Sequence, residues 1–162
     1  MTTTLAPERT LAARDLLART TVELDALFQD SPAGPIPRGR SQGTIIAWPG
    51  RLIAAPLSRV LGLLFWRGKQ FHPETSDLHN LISPAGIQAI RARTFEQGSW
   101  LDDRPCVVLE YAQTSTVAGW IRDEIREVSP GVYLGLVWGV GRLFGGHRLI
   151  LRFALTFPPG DA

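Results

Sequence analysis

Ionisable side chains are densest between Arg122 and Glu127, where five of six residues carry a charge at neutral pH. A Ser-Pro-Gly segment follows, and then an apolar run rich in β-forming residues. Pro130 and Gly131 suit the two central positions of a type II turn, whose second position needs a positive φ. We therefore predict a hairpin with strands at 121–128 and 132–140.

The first strand of this hairpin would bring charge into the protein interior. Alternate side chains of a strand point to opposite faces. Arg122, Glu124 and Arg126 therefore share one face, and Asp123 and Glu127 share the other. Burial in an apolar pocket raises the pKa of a carboxyl group unless a cation compensates it, and general acids and bases arise in this way. The alternatives are an internal ion pair, a solvated charged face, and a helix over this segment.

Candidate site residues are the polar and aromatic groups that such a pocket would bring together. As catalytic groups we nominate Glu124, Tyr111 and Arg122. Large aromatic side chains commonly line ligand pockets, although an ordinary core role is their alternative. The candidate ligand-binding residues are Trp66, Lys69, Trp120, Arg126, Tyr133 and Trp138. We expect Lys69 near the mouth of the pocket.

Metal and cofactor chemistry finds little support in the residue spacing. The three histidines lie far apart and match no metal-ligand template. His79 could contribute to a site with Asp77 and Asn80, but we expect these residues in a solvated loop. Cys106, the single cysteine, is expected to be an inert core thiol. We predict no metal and no cofactor.

Two helices and about seven to eight strands are expected to position the pocket. Apolar spacing predicts helices over 8–29 and 56–65. Alternation and turn residues predict the strands, at 44–48, 68–72, 87–97, 104–112, 121–128, 132–140 and 148–157. Residues 8–66 would be mainly helical with one short strand, and residues 67–158 would form an antiparallel barrel, because closure removes exposed strand edges.

The last predicted strand, 148–157, alternates most regularly. Its apolar residues at odd positions share one face: Leu149, Leu151, Phe153, Leu155 and Phe157. Ile150 and Arg152 belong to the opposite face.

Length and charge exclude several classes of protein. The 162 residues fit a single domain, and the net charge of +2 is spread along the chain. No nucleic-acid-binding motif is present, so we expect no nucleic-acid partner. No apolar run reaches the ~18 residues of a membrane-spanning helix, and the first residues lack the apolar core of a signal peptide. Together with the single cysteine, this predicts a cytoplasmic protein.

Four short segments resemble bacterial domain-of-unknown-function proteins with a GxWxG-type motif. They are Leu24-Asp25-Ala26-Leu27-Phe28, Trp48-Pro49-Gly50, Trp66-Arg67-Gly68-Lys69-Gln70-Phe71 and Val132-Tyr133-Leu134-Gly135. Ile46 stands in place of the first glycine of that motif. The resemblance implies an α+β fold in which N-terminal helices pack on a small lipocalin-like β-barrel with an apolar cavity. It implies no activity.

The sequence therefore favours a pocket for a hydrophobic small molecule, which is either bound or converted by cofactor-free cyclase or isomerase chemistry. Whether the protein is an enzyme is left open, as is the choice between monomer and homodimer. The alternative function is a peripheral membrane or protein-partner module. It rests on residues 51–69, where basic residues flank an apolar helix of the kind found at membrane surfaces.

Overall fold

A computed structural model of the protein describes residues 11–47, 66–82, 86–116 and 118–158. The helix predicted over 56–65 lies outside these residues. Within them, no helix is long and apolar enough to cross a bilayer.

Two short helices, α1 (Ala13–Leu17) and α2 (Thr21–Asp30), replace the single helix predicted over 8–29. The prediction was wrong because Thr20 begins a second helix. Its hydroxyl accepts a hydrogen bond from the Glu23 amide, and the Glu23 carboxylate accepts one from the Thr20 amide at 2.7 Å. Helix α2 ends before Pro32, whose ring disfavours helical geometry in the preceding residue.

Within the described residues, nine antiparallel strands form a nearly closed barrel, so the predicted barrel is confirmed with more strands than expected. They are β1 (Gly39–Arg40), β2 (Gln42–Ala47), β3 (Trp66–His72), β4 (Asp77–Ile82), β5 (Ile87–Gly98), β6 (Pro105–Glu110), β7 (Ile121–Ser129), β8 (Val132–Gly141) and β9 (Gly146–Thr156). Their order is β1-β3-β4-β5-β6-β7-β8-β9-β2. In this part of the chain the architecture is mostly antiparallel β with two short helices.

Strand β4 contradicts the solvated loop expected around His79. Asp77 and Asn80 are buried, and His79 is half-buried. The pairing with β5 shifts register between His79 and Asn80. A bulge of this kind breaks the alternation of apolar and polar residues by which a strand is detected in a sequence.

One residue, Ser41, joins the two edges of the sheet. Strand β1 pairs with β3, β2 pairs with β9, and Ser41 lies between β1 and β2. The Ser41 amide donates to the Lys69 carbonyl at 2.9 Å, and its hydroxyl accepts from the Lys69 amide at 3.0 Å. A Cβ atom on Gly68, whose φ is +139°, would overlap the Ser41 carbonyl, so glycine permits this close approach.

The barrel has an apolar interior and an outer face covered by the helices. The interior includes Phe71, Leu109 and Phe153, while Leu24 and Phe28 of α2 pack with outward-facing residues of β6, β8 and β9. Both faces of the central strands are therefore buried.

The face assignment for β9 is confirmed over most of its length. Leu151, Phe153, Leu155 and Phe157 belong to the interior. Leu149 instead packs on the outer face and Ile150 on the inner. The register with β8 shifts here, so Leu149 pairs with Trp138 and Leu151 with Val137. That bulge reverses the alternation.

The predicted hairpin is confirmed as β7 and β8, and the helical alternative is wrong. Gly131 has a φ of +71°, as the turn requires. Its amide donates to the Glu127 carboxylate at 3.0 Å. The hairpin places Ile121, Asp123 and Ile125 on the interior side of β7.

Candidate site: a polar cluster in the barrel cavity

Four polar side chains meet inside the apolar barrel, and we call them the polar cluster: Lys69, Asn80, Tyr111 and Asp123. Lys69 and Asn80 are paired across β3 and β4, Tyr111 follows β6, and Asp123 lies on β7. As whole residues, none is more than 3% exposed.

Lys69 uses all three of its donors within the cluster. Its Nζ donates to Asn80 Oδ1 at 2.9 Å, to the Tyr111 hydroxyl at 2.7 Å and to Asp123 Oδ2 at 2.9 Å. The ammonium also lies 5.4 to 5.6 Å from the ring centroids of Trp66, Tyr111 and Phe153. Aromatic faces at this distance attract a cation. The expectation that Lys69 lies at the pocket mouth is therefore wrong, because it is held in the interior.

Tyr111 and Asn80 are also saturated. The Tyr111 hydroxyl donates to Asp123 Oδ2 at 3.0 Å and accepts from Asn80 Nδ2 at 3.1 Å, besides accepting from Lys69. Asn80 Nδ2 donates in addition to the Ile90 carbonyl at 3.1 Å, and its Oδ1 accepts from the Trp66 indole at 3.2 Å. Both side chains thereby reach their full hydrogen-bonding capacity.

Ile90 adapts its backbone to this arrangement. It is the extra residue of β5 where Asn80 pairs with Ala89 and His79 with Arg91. Its φ is +53°, a conformation that a β-branched residue rarely adopts. The carbonyl of this strained residue is the one that accepts from Asn80. Strained backbone of this kind is concentrated at functional sites.

Asp123 Oδ1 is the exception to this saturation. It is buried and has no hydrogen-bond partner among the described residues. Buried polar atoms nearly always have a partner, so an unpartnered carboxylate oxygen needs an explanation.

Asp123 lies on the wall of a cavity that is otherwise mainly apolar. The wall residues are Ile45, Trp66, Lys69, Asn80, Tyr111, Ile121, Asp123, Val137, Leu151 and Phe153. The cavity volume is about 30 Å³, which is room for one or two water molecules. Ile45 and Trp66 are half-buried, so the cavity approaches solvent on their side.

The electrostatics of the cluster keep its protons in place. Burial disfavours the Lys69 ammonium, but the Asp123 charge and the hydrogen bonds outweigh burial and raise the pKa of Lys69. Burial, followed by the charge of Asp123, raises the pKa of Tyr111 to about 12. Lys69 is therefore a cation and no nucleophile at neutral pH. The chemistry left to the cluster is acceptance of a hydrogen bond by Asp123 Oδ1.

Stability should consequently fall in alkali, between about pH 10 and 12. The folded pKa values of Lys69 and Tyr111 lie above their ordinary values of 10.5 and 10.0. The folded state then binds more protons than the unfolded state, so this stabilisation is complete below pH 10 and is lost as pH rises. The free energy of unfolding falls by about 1.4 kcal/mol per pH unit for each extra proton that the folded state binds. Urea unfolding at a series of pH values measures it.

The Tyr111→Phe variant is the control for this pH dependence, because it removes one titrating group. Its slope between pH 10 and 12 should be shallower than that of the wild-type protein. An unchanged slope would contradict the assignment. Tyr133→Phe serves for comparison, since burial and the Glu127 charge raise the pKa of Tyr133 as well.

Only three of the nine nominated site residues lie at the cavity: Trp66, Lys69 and Tyr111. The expectation that Arg122, Glu124 or Arg126 faces it is wrong, because all three lie on the outer face of β7.

The outer face of β7 is not solvated either. Arg122 and Glu124 form a buried ion pair at 2.9 Å. Glu124 also accepts hydrogen bonds from the Ser99 hydroxyl at 2.6 Å and the Trp100 amide at 2.9 Å.

Arg126 connects three parts of the chain on the outer face. Its guanidinium makes two contacts of 2.7 Å with the Asp102 carboxylate. It also donates to the carbonyls of Phe28, Arg104 and Pro105 at 2.8 to 2.9 Å. Its hydrogen bonds hold the Asp102 carboxyl ionised and lower the pKa of that group. Arg126 thus attaches the end of α2 and the 99–105 turn to the barrel.

The three remaining nominated aromatic residues have other surroundings. Tyr133 faces the interior, but its hydroxyl donates to the Pro35 carbonyl at 2.9 Å, away from the cavity. Trp120 stacks on Phe144 with ring centroids 5.5 Å apart. Trp138 packs on the outer face against Trp100.

Two members of the polar cluster, Asn80 and Asp123, were not nominated from the sequence. Alternation did place Asp123 opposite the nominated residues of β7, but nothing in the pattern showed which face is internal. Asn80 follows His79 in the sequence and was assigned with it to a solvated loop.

Cys106 and the histidines give no sign of a metal or redox centre. Burial raises the pKa of the Cys106 thiol to about 12, in keeping with an inert core residue. In the described part of the chain, no group of three His, Cys, Asp or Glu side chains could hold a metal ion.

Fold and site together define a small antiparallel β-barrel protein with a polar cluster in an internal cavity. A crystal structure of a protein from Thermomonospora curvata is similar, with a TM-score of 0.61 and 21% identity over 86% of this chain and 88% of that one. At this identity the similarity extends to the fold alone. No family model and no curated protein matches the chain, so the resemblance to GxWxG-type proteins stays a prediction.

Proposed function

We propose that the protein binds a small, largely apolar molecule in the barrel cavity, with one polar group of that molecule against Asp123. The observation that carries this proposal is the unpartnered Asp123 Oδ1 on a mainly apolar wall. Ligand cavities typically combine apolar walls with a few convergent polar groups that fix orientation. A bound polar group would supply the missing hydrogen bond.

The rest of the polar cluster supports a positioning role for this carboxylate. Lys69 and Tyr111 both donate to Oδ2, which leaves Oδ1 without a donor on a residue of the cavity wall. The strained Ile90 contributes to the same arrangement by accepting from Asn80. A purely structural core needs none of these groups, because apolar side chains of similar volume stabilise a core at least as well as a buried ion pair.

The volume of about 30 Å³ limits which part of a ligand enters. It accommodates a small polar group and the adjoining carbon atoms. The remainder of a longer apolar molecule would lie toward the half-buried side chains of Ile45 and Trp66. A trapped water molecule is the competing occupant of the same space.

Filling the cavity should abolish binding of an apolar probe. We choose 1-hexanol and expect saturable shifts of the Trp66 indole N–H signal in NMR spectra, because this group borders the cavity and donates to Asn80. Val137→Phe should abolish the shifts, since its ring would occupy the cavity. Comparison with Trp66→Phe assigns the signal among the five tryptophans.

The matched control is Val22→Phe, which makes the same substitution at a residue 76% exposed on α2. It should leave the titration unchanged. Absence of saturable shifts in the wild-type protein, or equal shifts in Val137→Phe, would refute the proposed function. Native mass spectrometry of the freshly purified protein would reveal a ligand that is already bound.

The alternative module at residues 51–69 has less support. Lys69 is one of the four basic residues between positions 51 and 69. It is 3% exposed and forms an ion pair inside the barrel. It therefore contributes nothing to a basic surface. We also propose a cytoplasmic location, since a single free cysteine suits a reducing compartment.

A further inference from the structure

We infer that the group bound at Asp123 is a neutral hydrogen-bond donor, as in an aliphatic alcohol, and neither a carboxylate nor an ammonium group. This inference rests on the proposed function and specifies its ligand. It follows from the hydrogen-bonding capacity of the polar cluster and from its charge.

The hydrogen-bonding capacity left on the cavity wall determines whether the ligand donates or accepts. The donors of Lys69, Tyr111 and Asn80 are all engaged with partners between 2.7 and 3.1 Å. The Trp66 indole donates to Asn80 as well. Among the described cavity walls, the side-chain group still available to a ligand is thus an acceptor, Asp123 Oδ1. A ligand group that only accepts would leave this oxygen unpartnered and would also lose its own hydrogen bonds to water.

Charge determines the class of donor. Lys69 and Asp123 form an ion pair at 2.9 Å, with side chains 3% and 5% exposed, so the polar cluster is neutral as a whole. A carboxylate would place a second negative charge beside Asp123. An ammonium group would add a second cation to a carboxylate that Lys69 already neutralises. Burial of a charge without its own partner is strongly unfavourable, whereas a hydroxyl group adds no charge.

A pair of isomers tests whether binding depends on a donor group in the ligand. 1-Hexanol and 1-methoxypentane have the same formula, and only the alcohol has an O–H group. Hydrogen bonds to charged acceptors are strong enough that we expect the alcohol to bind about ten- to hundredfold more tightly. The Trp66 indole signal of the wild-type protein measures both titrations. Hexanoate and hexylammonium complete the series and should bind more weakly than the alcohol.

The Asp123→Asn variant should remove this preference. Lys69 and Tyr111 both donate toward the Oδ2 position, so the amide oxygen would occupy it and the amide NH₂ would face the cavity. The site then offers a donor, which the ether and the alcohol both accept. We expect the affinity ratio of the two isomers to fall close to one.

The outcomes separate this inference from the proposed function. Equal binding of the two isomers to the wild-type protein, or tighter binding of hexanoate or hexylammonium, would overturn the inference while leaving cavity binding intact. Binding of none of the four would refute the proposed function itself. If Asp123→Asn does not fold, the isomer pair in the wild-type protein still decides. Retention of the full alcohol preference in a folded Asp123→Asn protein would also overturn the inference.

Discussion

Replacing Lys69 with methionine should lower the free energy of unfolding by about 3–5 kcal/mol, as expected when one member of a buried ion pair is removed. Methionine retains much of the apolar stem but removes the ammonium that donates to Asp123, Tyr111 and Asn80. The Asp123 carboxylate would then be buried with Tyr111 as its remaining donor. Urea unfolding at neutral pH, followed by tryptophan fluorescence, measures the loss.

The double variant Lys69→Met/Asp123→Leu separates charge from packing. Exchange of both members of a buried pair for apolar residues is often neutral or stabilising, so the double variant should recover most of the lost stability. If it is as unstable as Lys69→Met alone, the loss comes from the packing of the lysine stem. A single variant that loses less than about 1 kcal/mol, the scale of an exposed pair, would contradict the buried ion pair.

Arg126→Met should cause a loss of similar size, about 3–5 kcal/mol, from the outer face. The substitution removes the guanidinium that donates to the Asp102 carboxylate and to the carbonyls of Phe28, Arg104 and Pro105. Among the described residues, only backbone amides remain as donors to Asp102, Phe28 and Arg104. Because Arg126 holds the end of α2 on the barrel, amide hydrogen exchange in α2 should accelerate more than in β7 and β8. Urea unfolding and hydrogen exchange together measure the effect.

Arg152→Met is the matched control for Arg126. Arg152 also forms two contacts of 2.7 Å with one carboxylate, that of Asp25 on α2. The Asp25 side chain is 28% exposed, so water replaces part of the lost interaction. The loss should be clearly smaller than for Arg126→Met. Equal losses of unfolding free energy in the two variants would contradict the idea that burial and the contacts with carbonyls make Arg126 more stabilising than Arg152.

The sequence predicted most strands of the barrel and the β7–β8 hairpin because their patterns are local. Pro130 and Gly131 indicate the turn, and the apolar run after them indicates β8. The extent of the first helix and the existence of β4 were missed for equally local reasons. The helix cap at Thr20 interrupts the helical spacing of apolar residues. The bulge beside Asn80 interrupts the alternation of apolar and polar residues that is typical of a strand.

The inward face of β7 could not be predicted, since alternation is informative only where one face meets solvent. Arg122 and Glu124 are buried beneath the 99–105 turn, while Asp123 is buried inside the barrel. Both faces carry charge and both are covered. The partner of Asp123 is Lys69, 54 residues earlier in the chain. Their meeting depends on barrel closure, which no local pattern encodes.

Closure through Ser41 also has a consequence for synthesis on the ribosome. Strand β2 pairs with β9, and Gln42 lies 114 residues before its partner Thr156. Since translation proceeds at about 5–20 residues per second, β2 waits several seconds for its partner to emerge. During that time the nascent chain carries an unpaired strand, which is a template for pairing with other chains. Strand β2 therefore cannot pair with β9 until β9 leaves the exit tunnel.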